Sequence, residues 1–212
     1  TNLVLSLGLA ISTDGQKVAF SSKARLDPAD TNNDTDIYRF DLGDDVLQLV
    51  SIRTGATVPI EGCEDPSIDE RGDAITFISR TIRLIDGNIA SLPNIFRSAV
   101  PTSGQPTVEI IGRGNAGQLP NAGVVEGALS ADGTVVAFTA NQAATNLDSG
   151  DTNPERDVYW RNLVTRTTRL VSANPIGALM GGPRYEPRVS ANGRFVCYAA
   201  QRRRFQSRKS LA

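Results

Sequence analysis

Four segments of the chain share one pattern of apolar and polar positions. In each segment an apolar residue precedes a polar turn that contains glycine, and alternating apolar residues then lead to an aromatic residue five positions after that glycine. The segments read AISTDGQKVAF, SIDERGDAITF, ALSADGTVVAF and RVSANGRFVCY. Alternation with a period of two is typical of a half-buried strand, and positive φ at a turn favours glycine. Each segment is therefore predicted to be a β-hairpin.

The hairpins recur at a nearly constant interval. Their turn glycines are Gly15, Gly72, Gly133 and Gly193, which are separated by 57, 61 and 60 residues. Each of the first three hairpins is followed by a third strand (DIYRFDL, NIFRSAV or DVYWRNL) and a fourth (VLQLVSI, TVEIIG or TTRLVSA). Four antiparallel strands per repeat, with no helical periodicity between them, are typical of the blades of a β-propeller.

The repeats predict an all-β chain that forms a β-propeller arc of four-stranded antiparallel blades. The predicted segments are blade 1 at 3–55, blade 2 at 56–120, blade 3 at 121–177, half of blade 4 at 178–200 and a basic tail at 201–212. Closed propellers have roughly four to eight blades. We therefore expect an arc of about three and a half blades that is incomplete, or that another chain completes.

The repeated motifs also carry a family resemblance. The S-x-D-G-x-x-V-A-F hairpin, the D-[IV]-Y-x-x-[DN]-L strand and the T-R-L-V-S strand resemble the TolB-type, WD-repeat-like propellers of bacteria, from Leu3 to about Ala200. The resemblance implies a propeller fold and a place in the bacterial envelope, either periplasmic or secreted, although no leader is visible. Such blades occur in binding modules, in accessory domains of peptidases and in surface proteins, so the resemblance selects no single function.

Composition excludes several classes of function. The sequence contains no histidine, which excludes Ser-His-Asp and Cys-His catalysis and the H-E-x-x-H zinc site. With a net charge of −1, nucleic acid is not an expected partner. No apolar run approaches the roughly 20 residues that span a bilayer. Cys63 and Cys197 lie far apart without C-x-x-C spacing, and the sequence favours two buried, free thiols over a disulfide.

Two polar loops carry the same nine-residue pattern, DTNNDTDIY from Asp30 and DTNPERDVY from Asp151. Oxygen donors at alternating positions are what a tight loop needs to hold a hard cation such as calcium. The candidate calcium ligands are Asp30, Asn32, Asp34 and Asp36 in the first loop, and Asp151, Asn153, Glu155 and Asp157 in the second.

The alternative for these loops is structural. The EF-hand glycine and distal glutamate are missing, and Asp and Asn side chains also bind their own backbone N–H groups in Asx turns. The corresponding loop of blade 2 keeps only Asp86 and Asn88 of the pattern. The sequence leaves both interpretations open, with calcium as the only cofactor that it suggests.

A second group of acids precedes the turn glycines by seven positions. The residues at this position are Gly8, Asp65, Glu126 and Glu186. The first strands of propeller blades line the central channel, so Asp65, Glu126 and Glu186 are predicted to form a partial carboxylate ring at the channel mouth. Such a ring would bind a cation or a basic peptide group. The alternative is that each acid caps backbone N–H groups or pairs with Arg184 or Arg188.

Three further features are assigned structural roles. GRGNAG at 112–117 matches the dinucleotide-binding G-x-G-x-x-G, but proline and glycine follow it where a helix would have to begin. The basic tail is predicted to be a solvated terminus. On the third strand of blade 3, alternation places one of Tyr159 and Trp160 in the blade core.

These patterns favour a non-catalytic propeller module that binds a protein or a ligand. The alternatives are a calcium-dependent scaffold or adhesion domain, and an accessory propeller domain of a hydrolase or lyase. The acids recur blade by blade, whereas a catalytic pair is usually a single event on a repeated scaffold. We expect a protein partner, or self-association through the open edges of the first and last blades.

Overall fold

The structure of the chain is a computed structural model. It describes residues 8–52, 60, 62–80, 92–102, 104–142, 144–172 and 184–200. Within these ranges the chain forms fourteen β-strands and no helix. No described segment is therefore a helix that could cross a membrane. The predicted basic tail lies outside the described residues.

The strands form three four-stranded sheets and one two-stranded sheet, each with its strands in sequence order and antiparallel. Blade 1 contains β1 (Leu9–Ile11), β2 (Lys17–Ser22), β3 (Asp36–Asp41) and β4 (Val46–Leu49). Blade 2 contains β5 (Cys63–Ile68), β6 (Ala74–Ser79), β7 (Asn94–Ala99) and β8 (Thr107–Ile110). Blade 3 contains β9 (Val124–Leu129), β10 (Val135–Ala140), β11 (Asp157–Asn162) and β12 (Thr167–Leu170). Blade 4 contains β13 (Arg184–Val189) and β14 (Val196–Ala200).

The glycine turns form as predicted. Gly15, Gly72, Gly133 and Gly193 all have φ between 68° and 71°, in the left-handed region where glycine has no steric cost. In each turn the glycine N–H donates to the carbonyl three residues earlier, for example from Gly133 to Ser130 at 2.9 Å. The Ser130 hydroxyl also accepts the N–H of Val135, which begins the second strand.

Each complete blade is built around one pair of aromatic rings. The aromatic residue of the second strand lies opposite an aromatic residue of the third strand, in the same register each time. The pairs are Phe20 with Tyr38, Phe77 with Phe96, and Phe138 with Tyr159, stacked with centroids 5.6–5.7 Å apart. Cross-strand aromatic pairs of this kind stabilise a sheet beyond the area that they bury. The recurrent aromatic position is therefore explained by packing.

The hydrophobic core lies between successive blades. One cluster joins blade 1 to blade 2, and a second joins blade 2 to blade 3 around Ile95, Phe138 and Tyr159. The innermost strands β1, β5, β9 and β13 each contact the next one along the chain. This arc of antiparallel sheets confirms the predicted fold class, while the predicted blade boundaries stay predictions.

The two cysteines are free, as predicted, but they differ in exposure. Cys63 is fully buried, whereas Cys197 on β14 is exposed. The prediction that both thiols are buried is therefore wrong for Cys197. The corresponding residues of the other blades, Ala19, Thr76 and Ala137, are buried because a third strand and a following blade cover them. Among the described residues, blade 4 has neither.

Candidate functional site

The acidic loop of blade 1 uses its side chains to hold its own backbone. Asp30 accepts the N–H of Asn32, Asn32 accepts the N–H of Asp34 at 2.7 Å, and Asp34 accepts the N–H of Thr35 at 2.8 Å. These contacts form a series of Asx turns. The alternating spacing of the acids thus matches the alternating N–H groups of the same loop.

The loop of blade 3 repeats this arrangement. Asp151 accepts the N–H of Asn153, and Asn153 accepts the N–H of Glu155 at 2.5 Å. Glu155 also has a further contact within the chain. The described contacts therefore favour the structural alternative for both loops.

Two further residues complete each network: the tyrosine that ends the repeated pattern, to which the sequence assigned no role in the loop, and a serine outside the pattern. The Tyr38 hydroxyl donates to Asp30, and the Tyr159 hydroxyl donates to Asp151 in the same way. Burial, followed by the neighbouring aspartate, raises the pKa of both tyrosines, so their hydroxyls stay protonated as donors.

The last aspartate of each loop accepts a hydrogen bond from a serine that lies two residues after the end of the fourth strand. The Ser51 hydroxyl donates to Asp36 at 2.6 Å, and the Ser172 hydroxyl donates to Asp157 at 2.5 Å. Each serine oxygen in turn accepts a backbone N–H from the third strand, from Ile37 in blade 1 at 3.1 Å. The repeated acids therefore fasten each loop to the strands that follow it.

Blade 2 contains the signal that could have identified this network from sequence. At the positions of Tyr38, Asp36 and Ser51 it has Phe96, Asn94 and Gly112. The hydroxyl, the carboxylate and the serine are thus lost together, and Asn94 instead donates to the carbonyl of Gly112 at 3.3 Å. Donor and acceptor change together within one chain, as expected for groups that bind each other.

Asp36 differs from its equivalent Asp157 in one contact. In blade 3, Asn153 Nδ2 donates to Asp157 Oδ2 at 2.9 Å. In blade 1, the matching atoms Asn32 Nδ2 and Asp36 Oδ2 are both buried and make no hydrogen bond of ordinary geometry, although Asn32 still lowers the pKa of Asp36. Burial, with the added negative charges of Asp30 and Asp34, raises the pKa of Asp36 from 3.8 to about 7. Blade 1 thus carries a buried acid that is protonated in mildly acidic solution.

Calcium in these loops stays a prediction. Among the described residues, no group of three or more Asp, Glu, His or Cys side chains is placed to hold a metal ion. A titration tests the prediction directly, because calcium that binds the native loop raises the melting temperature of the protein. Since most of the loop oxygens already accept hydrogen bonds, we expect no shift with about 1 mM calcium. A rise of several degrees, reversed by a chelator, would instead support the metal site.

The three predicted channel acids lie at equivalent positions on successive inner strands. Asp65 and Glu186 have left-handed backbone conformations, with φ of 54° and 51°, each beside a register shift in its hairpin. Glu126 lies opposite a similar shift in blade 3. Left-handed backbone at non-glycine residues persists where surrounding contacts hold it. These contacts come from the neighbouring blade.

Each of the first two acids binds the backbone of the next blade. Asp65 accepts the N–H of Gly127, and Glu126 accepts the N–H of Glu186 at 2.7 Å. Burial raises the pKa of Asp65, and the positive charge of Arg188 opposes that rise. These acids thus link successive blades by accepting backbone N–H groups, which matches the capping alternative. Ligand binding at this mouth stays a prediction.

The remaining motifs also have contacts between blades. Tyr159 is fully buried, while Trp160 is half-buried and its Nε1–H donates to the carbonyl of Gly193 in blade 4 at 2.9 Å. Arg39, at the same position in blade 1, donates to the carbonyl of Gly72 in blade 2 at 2.9 Å. Trp160 therefore serves as a link between blades. GRGNAG lies between β8 and β9, where no helix begins.

No protein-family model matches the sequence, and no curated protein is similar to it. Solved structures are similar in fold. TolB from Acinetobacter baumannii superposes with a TM-score of 0.57 over 93% of this chain, at 16% identity. The chain has a TolB-like β-propeller fold. A chain of the nidogen–laminin complex superposes with a TM-score of 0.51 over 93% of the present chain, at 10% identity.

The propeller arc is shorter than these neighbours. It spans 38% of the TolB chain and 57% of the chain from the nidogen–laminin complex. At such low identity the likeness concerns the arrangement of strands and blades alone. The TolB-like propeller thus accounts for the fold of this chain, while its activity and partners require separate argument.

Proposed function

We propose that this chain is a non-catalytic β-propeller module that binds proteins through the exposed face of blade 1 and the exposed edge of blade 4. We further propose that one partner is a second copy of the chain, and that the module is periplasmic or secreted. The observation that carries the proposal is the exposure of apolar residues at positions that other blades bury.

Ile11 on β1 is the decisive residue. It is 60% exposed, whereas its equivalents Ile68 and Leu129 are 9% and 6% exposed. Those two residues lie in the clusters that join each blade to the preceding one. Leu9, two residues before Ile11, is 72% exposed. Blade 1 therefore presents the surface with which blades 2 and 3 bind their neighbours.

The opposite end offers a matching surface. On blade 4, Phe195 is 70% exposed where blades 2 and 3 have the buried residues Ala74 and Val135, and Cys197 is exposed where all three other blades have buried residues. Glu186 occupies the same position in blade 4 as Asp65 and Glu126 in blades 2 and 3. Because those two carboxylates accept an N–H of the next inner strand, the Glu186 carboxylate fits a backbone N–H of a following inner strand. Blade 1 of a second copy offers both an apolar surface and an inner strand.

Replacing Ile11 with aspartate is expected to weaken self-association at least about tenfold, since a charge would be buried at the interface. The measurement is light scattering coupled to size-exclusion chromatography over a range of micromolar concentrations. The matched control is Val164→Asp, because Val164 is 76% exposed but lies in a turn away from both ends. A wild-type chain that stays monomeric at tens of micromolar would refute this partner.

No described contact favours the other two functions. Most of the described loop oxygens predicted to bind calcium, such as those of Asn32 and Asn153, accept hydrogen bonds from the protein itself. The carboxylates of the channel mouth that have described contacts cap backbone N–H groups of the next blade. The calcium-dependent scaffold and the accessory domain of a hydrolase or lyase therefore stay predictions.

A further inference from the structure

A groove of about 610 Å³ lies between blades 2 and 3, and three arginines line it: Arg113, Arg161 and Arg166. We propose that this groove binds a small oxyanion, either a phosphate group or a carboxylate, through these guanidinium groups. The proposal is independent of self-association, because the groove lies within the arc.

The positive charge of the groove is only partly neutralised by the described part of the protein. Glu109 also lines the groove, but it forms an ion pair with Arg97 at 3.5 Å. No described acid forms an ion pair with Arg113, Arg161 or Arg166. Desolvation, together with the charges of Arg113 and Arg166, lowers the pKa of Arg161, and the negative charge of Glu109 opposes this effect. An anion in the groove would remove this repulsion.

Arg161 is held so that only part of its guanidinium is used. The side chain is 95% buried by its neighbours, with 5% exposed. Its Nη1 lies within hydrogen-bond distance of the carbonyls of Arg113 and Arg166 and of the Thr168 hydroxyl, at 2.9, 3.1 and 2.7 Å, so that its two N–H groups serve three acceptors. Its Nε and Nη2 donate to no described residue. A guanidinium fixed on one side presents its remaining N–H groups in a geometry that matches two oxygens of one anion.

Arg161 has no counterpart in the other two complete blades that the structure describes. The residue at the position of Arg161 is Phe40 in blade 1 and Ser98 in blade 2. Ser98 is fully buried, and its hydroxyl donates to the carbonyl of Val50 in the preceding blade. The side chain at this position of blade 2 therefore contacts the neighbouring blade directly. Features that recur in every blade are explained by the fold, as the acidic loops show. Among the described blades only blade 3 has an arginine at this position, and because that arginine lines a cavity, the repeat alone does not explain it.

The linker with the sequence GRGNAG frames the groove. Asn115 and Thr168 exchange two hydrogen bonds, from Asn115 Nδ2 to the Thr168 carbonyl at 3.0 Å and from the Thr168 N–H to Asn115 Oδ1 at 2.7 Å. Arg113 Nη1 donates to the carbonyl of Gly117 at 2.8 Å within the same linker. These contacts fix Arg113 before a ligand arrives, which lowers the entropic cost of binding.

Isothermal titration calorimetry at low ionic strength, with chloride as the background anion, tests the proposal. The probes are inorganic phosphate and succinate. Binding of phosphate alone supports a phosphate site, and binding of succinate alone supports a carboxylate site. Saturable binding of either probe supports the groove, whereas the absence of heat with both would overturn it.

A pair of variants locates the binding. Arg166→Gln removes an exposed guanidinium from the groove and is expected to weaken phosphate or succinate binding at least about tenfold. Arg169→Gln removes an exposed arginine of the same blade that does not line the groove, and is expected to change affinity less than about twofold. Equal losses in the two variants would show non-specific attraction and refute the site. The melting temperature of each variant confirms that it is folded.

Discussion

Replacing Phe138 with alanine is expected to lower the free energy of unfolding by about 3–5 kcal/mol. The ring is fully buried, stacks on Tyr159 and lies in the cluster that joins blade 2 to blade 3. Its removal therefore leaves a cavity in one blade and weakens the contact with the next. Urea denaturation followed by circular dichroism measures the loss.

The matched control is Phe20→Ala. Phe20 forms the same stacked pair with Tyr38, but it is only partly buried because no described blade covers this side of blade 1. We expect a loss of about 1–2 kcal/mol, since less apolar surface leaves water at this position on folding. Equal losses at both positions would contradict the conclusion that packing between blades supplies most of the stability of the arc.

The hairpins and their aromatic residues could be predicted from sequence because their causes are local. Positive φ at Gly15 and alternation through the following strand involve only neighbouring residues. The third and fourth strands followed from the same alternation. Because the same pattern recurs four times, the hairpin prediction applies to four segments of the chain. This repetition is what allowed the propeller fold to be predicted from the sequence.

Contacts between blades were harder to predict from the sequence. The register of Glu126 against the N–H of Glu186 depends on how two blades are offset, and no periodicity within a strand encodes that offset. Arg161 appears in the sequence as one charged residue on a strand. Only the structure places it beside Arg113 and the linker. The exposure of Cys197 was missed for the same reason, since it depends on a strand and a blade that the described residues lack.

The acidic loops lie between these cases. Sequence identified the repeated donors and acceptors correctly but left two interpretations, because Asx turns and calcium loops need oxygens at the same spacing. The tyrosine and serine partners lie eight and fifteen residues after their acids. Comparison with blade 2, where Asn94, Phe96 and Gly112 replace the group together, would have revealed them.

Replacing Asp36 with asparagine is expected to raise the free energy of unfolding at about pH 8 by about 3–4 kcal/mol, and to change it little at about pH 4. Burial raises the pKa of Asp36 from 3.8 to about 7 in the folded protein. As the pH rises through this window, the unfolded chain loses its proton first. The folded state therefore loses stability until Asp36 also ionises, and beyond that point the loss is constant.

Urea denaturation at a series of pH values measures this difference between wild type and variant, so that other titrating groups common to both cancel. The control is Asp157→Asn, which replaces an acceptor that binds Asn153 Nδ2 with a second donor. We expect that control to be destabilised at about pH 8, opposite in sign to Asp36→Asn. The two substitutions would then change the free energy of unfolding in opposite directions, because Asn153 Nδ2 donates to Asp157 Oδ2 at 2.9 Å whereas Asn32 Nδ2 makes no hydrogen bond of ordinary geometry with Asp36 Oδ2. Destabilisation of both variants at that pH would contradict the inference that burial of ionised Asp36 lowers the free energy of unfolding.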